Sequence, residues 1–141
     1  MVSICVPAYK KPDFVIRLLD AVLLQDYKEV EVVITDDSPN DDIQQAIAPY
    51  SGQLNIHYHR NIPALGSPRN WNSAIDRSSG DFFMLVHQDD WFENPQALSI
   101  FVNALTKKPT GMASSPSTVT GEMMAWLESA TSLVISTPLL I

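Results

Sequence analysis

Two apolar runs in this chain end on paired carboxylates. Val32-Val33-Ile34-Thr35 leads into Asp36-Asp37-Ser38, and Leu85-Val86-His87-Gln88 leads into Asp89-Asp90-Trp91. Oxygen donors at the rim of a cleft suit a hard divalent cation such as Mg2+ or Mn2+, which keeps some of its waters and takes substrate phosphates as further ligands. Two such strand ends in one small α/β chain point to a site for a nucleoside diphosphate. An acidic pair equally suits a plain turn, because Asp side chains hydrogen-bond to nearby backbone. His87 and Gln88 carry no defined role, and one unsupported imidazole is read as a packed strand-end side chain. His57 and His59 alternate out of a strand, with no carboxylate at matching spacing, and are read as a solvated or edge face.

The elements that must position these residues follow from periodicity. Val2 to Pro7 is a short apolar run and is predicted as a buried strand. Pro12 opens a helix in which Phe14, Leu18 and Val22, with Val15, Leu19 and Leu23, form one inward face ending before Tyr27. Val30 to Thr35 is continuous rather than alternating in its apolar character, as expected of a parallel strand covered on both faces. Asn40 or Asp41 caps a short helix with Ile43, Ala46 and Ile47 inward, stopped by Gly52. Leu54, Ile56 and Tyr58 alternate with polar residues, which predicts an edge strand or one polar face. Ser67-Pro68 is expected to start a third helix with stripe Trp71, Ala74 and Ile75. Phe82 to Val86 is a fourth strand, and Asn94-Pro95 opens a helix burying Leu98, Phe101, Val102 and Leu105 before Pro109. A further strand is placed near Met112 to Val119.

This strict strand-helix alternation implies an α/β, doubly wound, mostly parallel sheet. Ligands of such sheets bind beyond the carboxyl ends of the strands, where Tyr9, Asp36, Asp37, Asp89 and Asp90 are expected to converge.

Composition narrows the classes. A length of 141 residues accommodates one domain with a core. Nine basic against sixteen acidic residues give a net charge of −7, which disfavours a nucleic-acid partner. The single cysteine, Cys5, excludes an intrachain disulfide and is expected to be a buried thiol. The start of the chain has no basic region of a signal peptide, so a cytoplasmic location is expected. Met123 to Ile141 is about the length of a membrane span, but Glu128, Pro138 and several hydroxyl residues favour a buried helix with a ragged tail.

Val6-Pro7-Ala8-Tyr9, Thr35-Asp36-Asp37-Ser38, Arg69 and Gln88-Asp89-Asp90, in this order and spacing, resemble family 2 glycosyltransferases. The resemblance covers about residues 2 to 109 and implies a GT-A fold. It implies a nucleotide-sugar donor, expected to be UDP-linked, a divalent cation (Mn2+ or Mg2+), and transfer to a hydroxyl acceptor in polysaccharide or glycoconjugate synthesis. Pro7 and Tyr9 would flank the nucleoside, Asp37 would accept a hydrogen bond from the uracil imide, and Arg69 would approach the base or diphosphate. Asp90 would ligate the metal and Asp89 would contact ribose or sugar, with Trp91 and Phe92 as candidate walls. Peripheral association with the inner face of a membrane would suit such an enzyme.

Glu93, Glu122 and Glu128 are the acidic residues after Asp90, and none matches the family's general-base motif. Residues 1–110 are therefore expected to be the nucleotide-sugar-binding half, and 111–141 an incomplete or divergent segment of a C-terminally truncated domain. The alternative is a non-catalytic donor-binding module. A dinucleotide-binding site is disfavoured because no G-x-G-x-x-G follows the first strand. A receiver-like signalling domain would carry its acidic residues after the first and third strands, where this chain does not.

Overall fold

The computed structural model describes residues 1–107. Four parallel strands alternate with helices: β1 (Val2–Ala8), α1 (Pro12–Leu23), β2 (Val30–Asp36), α2 (Asp42–Ile47), β3 (Asn55–Arg60), α3 (Arg69–Asp76), β4 (Phe82–Leu85) and α4 (Ala97–Lys107). The sheet order is β3-β2-β1-β4, with Val2 opposite both Val30 and Phe82. β1 and β2 are thus interior, which accounts for their mainly apolar, non-alternating character, and β3 takes the edge that its alternation predicts. The expected strand and helix near the C-terminus, including Met112 to Val119 and Met123 to Ile141, lie outside the described residues.

Each strand's side chains divide between two helical layers. Val2, Ile4, Val6 and Ala8 of β1 and Val32 and Ile34 of β2 join Val15, Leu18, Leu19 and Val22 of α1, Ile43 and Ile47 of α2, and Leu98 of α4 in one core. Full burial of each large aliphatic side chain contributes about 1.5–3 kcal/mol. On the other face α3 packs across β1 and β2, with Asn70 and Ala74 buried, so the sheet is wound on both sides. Gln25, buried just after α1, docks α4: its Nε2 donates to Asn94 O and its Oε1 accepts from Leu98 N.

Local details depart from the sequence reading at four points. Phe14 is 43% exposed, because the inward arc of α1 is already filled by Val15, Leu18, Leu19, Ala21 and Val22. α2 ends at Ile47 and tightens into a 3-10 turn, Ala48–Tyr50, before Gly52 is reached. Ser67 makes no capping bond; α3 begins at Arg69 with Pro68 as its N-cap, so proline sits one position earlier than expected. α4 begins at Ala97, after a turn in which Asn94 Oδ1 accepts from Gln96 N. No described helix is long and apolar enough to cross a membrane.

A polar cluster closes the amino-terminal end of the sheet. Ser3 and Glu31 are register partners, and the buried Glu31 carboxylate accepts bonds from the Ser3 hydroxyl and from both the amide and the hydroxyl of Ser79. Burial opposes its ionisation, but those bonds and His57 at 3.4 Å prevail, holding the carboxyl below the usual glutamate range. His57 and His59 are exposed, as a solvated edge face requires. Cys5 is buried beside this cluster; burial, then the Glu31 charge, push its thiol up to about 12, so it stays protonated. Gly80 seals the same end, its N–H donating to Ser3 Oγ at 2.8 Å.

Two outcomes follow from this end of the sheet. A Cβ on Gly80 would meet Met1 O and Ser3 N at 2.9 Å, so Gly80→Ala should lower unfolding free energy by about 1–3 kcal/mol in urea titration. Gly52→Ala, where nothing lies within 4 Å, should leave it nearly unchanged. Because folding lowers the Glu31 pKa, its contribution is complete above the unfolded value, near 4.5, and is lost as pH falls through the folded value. Glu31→Gln should therefore destabilise at neutral pH and flatten the acid limb of a stability–pH curve; an unchanged acid limb would exclude this assignment.

Candidate functional site

At the opposite, carboxyl end of the strands, a cleft of about 390 Å³ opens between β1 and β4. That is where the strand order reverses, since β1 leads to β2 on one side while β4 arrives from α3 on the other. Pro7, Tyr9, Asp37, Trp71, His87 and Asp89 line it, among others. Four of the six predicted site residues therefore share one cleft: Pro7, Tyr9, Asp37 and Asp89. Asp90 lies outside its lining, and Arg69 lines a separate open depression beside Asp76 and Arg77, its Nε donating to Leu65 O at 2.9 Å.

The two acidic turns have opposite character. Asp36 is fully buried; its Oδ1 accepts from Ser38 N at 2.8 Å, the turn-forming bond, and its Oδ2 accepts from the Tyr58 hydroxyl at 2.7 Å. Burial, then that bond to Asp36, push the Tyr58 phenol far above its usual range, so it remains a donor. Arg60, at the end of β3, caps the same turn by donating to Ser38 O and Pro39 O.

Asp37 is 7% exposed and holds a loop. Its Oδ1 accepts from Asn61 Nδ2 at 2.8 Å and Leu65 N at 3.0 Å, and its Oδ2 accepts from Gly66 N at 2.8 Å. Gly66 has φ +72, a left-handed conformation that glycine adopts without a steric cost. Asn61 donates further to Asn70 Oδ1 at 2.9 Å, while Asn70 Nδ2 donates to Ala8 O and Asn70 O accepts from Thr35 Oγ1. This chain of bonds joins the ends of β1, β2 and β3 to the start of α3. Among the described residues no buried side-chain nitrogen or oxygen lacks a partner.

Asp89 and Asp90, in contrast, are exposed, and among the described residues neither carboxylate has a hydrogen bond or ion pair. Asp90 N donates to His87 O, which curls the segment into a turn, and of the two residues Asp89 lines the cleft. His87 packs edge-on against Trp71, ring centroids 4.9 Å apart, so the imidazole is a packed side chain that also faces the cleft. Trp91 is 39% exposed with the Arg17 guanidinium 3.3 Å above its ring, and Phe92 packs on the core; neither walls the cleft. Glu93 is exposed and outside the lining, while Glu122 and Glu128 lie outside the described residues.

Asn61, Asn70, Trp71 and Gln88 were not singled out by sequence as parts of the site. Gln88 grips the backbone of Tyr9, accepting from its N at 2.9 Å and donating to its O at 3.1 Å. Only its place between an apolar strand and an acidic pair hints at this.

The arrangement offers an apolar and aromatic slot, one firmly seated carboxylate at its inner end, and unpaired carboxylate at its rim. The oxygen donors at the rim fit a hard cation, and since no described group of three or more metal-binding side chains exists, a ligand's phosphates and water would complete its shell.

Comparison with known proteins places this geometry in context. The model of glycosyl transferase family 2 matches residues 3–131. The chain is 32% identical over 126 residues to an uncharacterized protein, MT1568, of Mycobacterium tuberculosis, covering 89% of this chain and 39% of that protein. It is 27% identical over 94 residues to abequosyltransferase RfbV of Salmonella typhimurium, covering 64% and 28% respectively. The crystal structure of Staphylococcus aureus TarS 1–349 in complex with UDP superposes with a TM-score of 0.69 at 25% identity, over 84% of this chain and 37% of that one. The chain thus spans well under half the length of these relatives.

Replacing Asn61 by the similarly sized leucine would take one donor from Asp37 and leave Asn70 Oδ1 without its partner. Asn61→Leu should cost about 1–3 kcal/mol in urea unfolding. Faster hydrogen exchange at Leu65 and Gly66 should accompany it; unaltered exchange there would show that the seating of this loop on Asp37 does not depend on Asn61.

Proposed function

The chain belongs to glycosyl transferase family 2 and has the GT-A fold, and on that premise we propose that residues 1–110 form the half that binds a nucleotide-sugar donor together with a divalent cation. UDP-linked sugars are the proposed donors, and the parent protein transfers the sugar to a hydroxyl acceptor in polysaccharide or glycoconjugate synthesis. The observation that carries this reading is the gathering of Pro7, Tyr9, Asp37 and Asp89 from three strand ends into one cleft at the reversal of strand order. The UDP complex of TarS supports the choice of nucleotide, and the sugar-transferase name of RfbV supports the reaction class.

Each residue has a part that its setting allows. Pro7 and Tyr9 offer an apolar edge and an aromatic face to the nucleoside. Asp37, although it already accepts three bonds, is a carboxylate with further lone-pair directions, so one acceptor position remains for an imide N–H. Asp89, which lines the cleft, and its exposed neighbour Asp90 are proposed to meet the diphosphate through Mn2+ or Mg2+. When bound, the cation supplies positive charge against the charge that develops on the departing nucleoside diphosphate. Arg69 would approach the base or the diphosphate with its Nη groups, while its Nε keeps the bond to Leu65 O.

A donor-binding module without its own general base is the second reading. It is favoured by Glu93, the one described acidic residue after Asp90, which is exposed and away from the cleft. In the first reading, the acceptor proton is proposed to pass to a group outside the described residues.

Titration of UDP into the purified chain, with MnCl2 and then with EDTA, tests the proposal. Binding should weaken by about tenfold or more on chelation, and Asp89→Asn and Asp90→Asn should each reduce the difference between the two conditions. Absence of UDP binding in both conditions would refute the donor site. Binding insensitive to EDTA would refute the role of the cation.

A further inference from the structure

We propose that Gln88 is a positioning residue that sets where Asp89 stands relative to β1, with Arg17 steadying the same turn from its far side. The inference extends the donor-site reading and rests on it for the identity of the ligands. β4 ends its ladder with β1 at Leu85, opposite Cys5, and Val86 N donates to Cys5 O at 2.9 Å as the last backbone bond between them. β1 itself runs on to Ala8 paired with β2 alone. The segment that carries Asp89 and Asp90 therefore projects past the sheet with one internal backbone bond, Asp90 N to His87 O.

Two side-chain tethers take over where the ladder stops. The carboxamide of Gln88 presents one acceptor and one donor to Tyr9 N and Tyr9 O, as a neighbouring strand would. On the other side of the acidic pair, the Arg17 guanidinium lies 3.3 Å above the Trp91 ring and fastens the turn to α1. Asp89 lies between the tethers and is itself unbonded among the described residues.

The anchor chosen by Gln88 connects the two ends of the cleft. Tyr9 is followed by Lys10 and Lys11, which hold left-handed φ values of 56 and 54, and Lys10 N donates to the Ser38 hydroxyl at 2.7 Å. Ser38 belongs to the turn that carries Asp37. Through residues 9–11 the position of Asp89 is thus referred to the same backbone that borders Asp37, so the distance from nucleoside pocket to cation ligand is set by protein bonds before a donor arrives.

The isosteric variant Gln88→Met removes both bonds while keeping volume, and Arg17→Ala removes the second tether. Mn2+ binding in the presence of UDP, read from the electron paramagnetic resonance of free Mn2+, should weaken about tenfold in Gln88→Met and in the same direction in Arg17→Ala. Affinity for uridine, which has no diphosphate, should stay at the wild-type level in Arg17→Ala, which leaves both Tyr9 bonds in place, and should fall less than Mn2+ affinity in Gln88→Met. Wild-type Mn2+ affinity in both variants, or equal loss of uridine and Mn2+·UDP affinity, would overturn the positioning role. A wild-type protein that binds no UDP at all would overturn the donor-site reading and this inference with it.

Discussion

The carboxyl end of this sheet depends on one buried carboxylate. Asp37 is almost wholly removed from water, and a charge in that position is tolerable only when its oxygens are hydrogen-bonded. All three of its donors, Asn61 Nδ2, Leu65 N and Gly66 N, come from the loop between β3 and α3. The loop must therefore curl over the end of β2, and the start of α3 is carried along with it. Asn61 and Asn70 extend the constraint to β1 through Ala8 O, so three strand ends and one helix are located by a single set of polar bonds.

The two ends of the sheet show how the same chemistry is put to different uses. Glu31 at the amino end and Asp36 and Asp37 at the carboxyl end are satisfied by hydroxyls and amides of their own chain, and they are structural carboxylates in that sense. Asp89 and Asp90 are left exposed beyond the last ladder bond. In a chain of net charge −7, a carboxylate at the cleft with no partner among the described residues, and a second one beside it, suit a cation-bridged anion better than a bare one. A role in donor binding for Asp37 is compatible with its loop-holding bonds, because a carboxylate has more acceptor directions than the three in use.

Much of the architecture was legible residue by residue. The mainly apolar, non-alternating runs Val2 to Val6 and Val30 to Ile34, bounded by turn signals, suited strands covered on both faces, and the alternation of Leu54, Ile56 and Tyr58 marked an edge. The errors have local physical causes. Phe14 shares the helical phase of the inner face, but the arc was already occupied by smaller aliphatic residues. Ser67 matched a capping pattern that Pro68 pre-empts by taking the cap position. Asn61 and Asn70 carry no pattern in a single sequence, and Gln88, although it stands beside the acidic pair in the motif, shows no role there; the worth of a carboxamide depends on what faces it.

Order and periodicity along the chain determined the alternating elements, the parallel sheet and the placing of both acidic pairs at strand ends, since these follow from which faces must be buried. Only the tertiary structure decided that Asp36 and Asp37 face inward to bind their own backbone and loop while Asp89 stands at the cleft and Asp90 beside it. It also set Arg69 apart from the cleft and gave Gln88 its grip on Tyr9. Adjacent carboxylates are chemically alike in sequence; they differ through the donors that folding brings within 3 Å of each oxygen, and those donors come from residues up to 29 positions away.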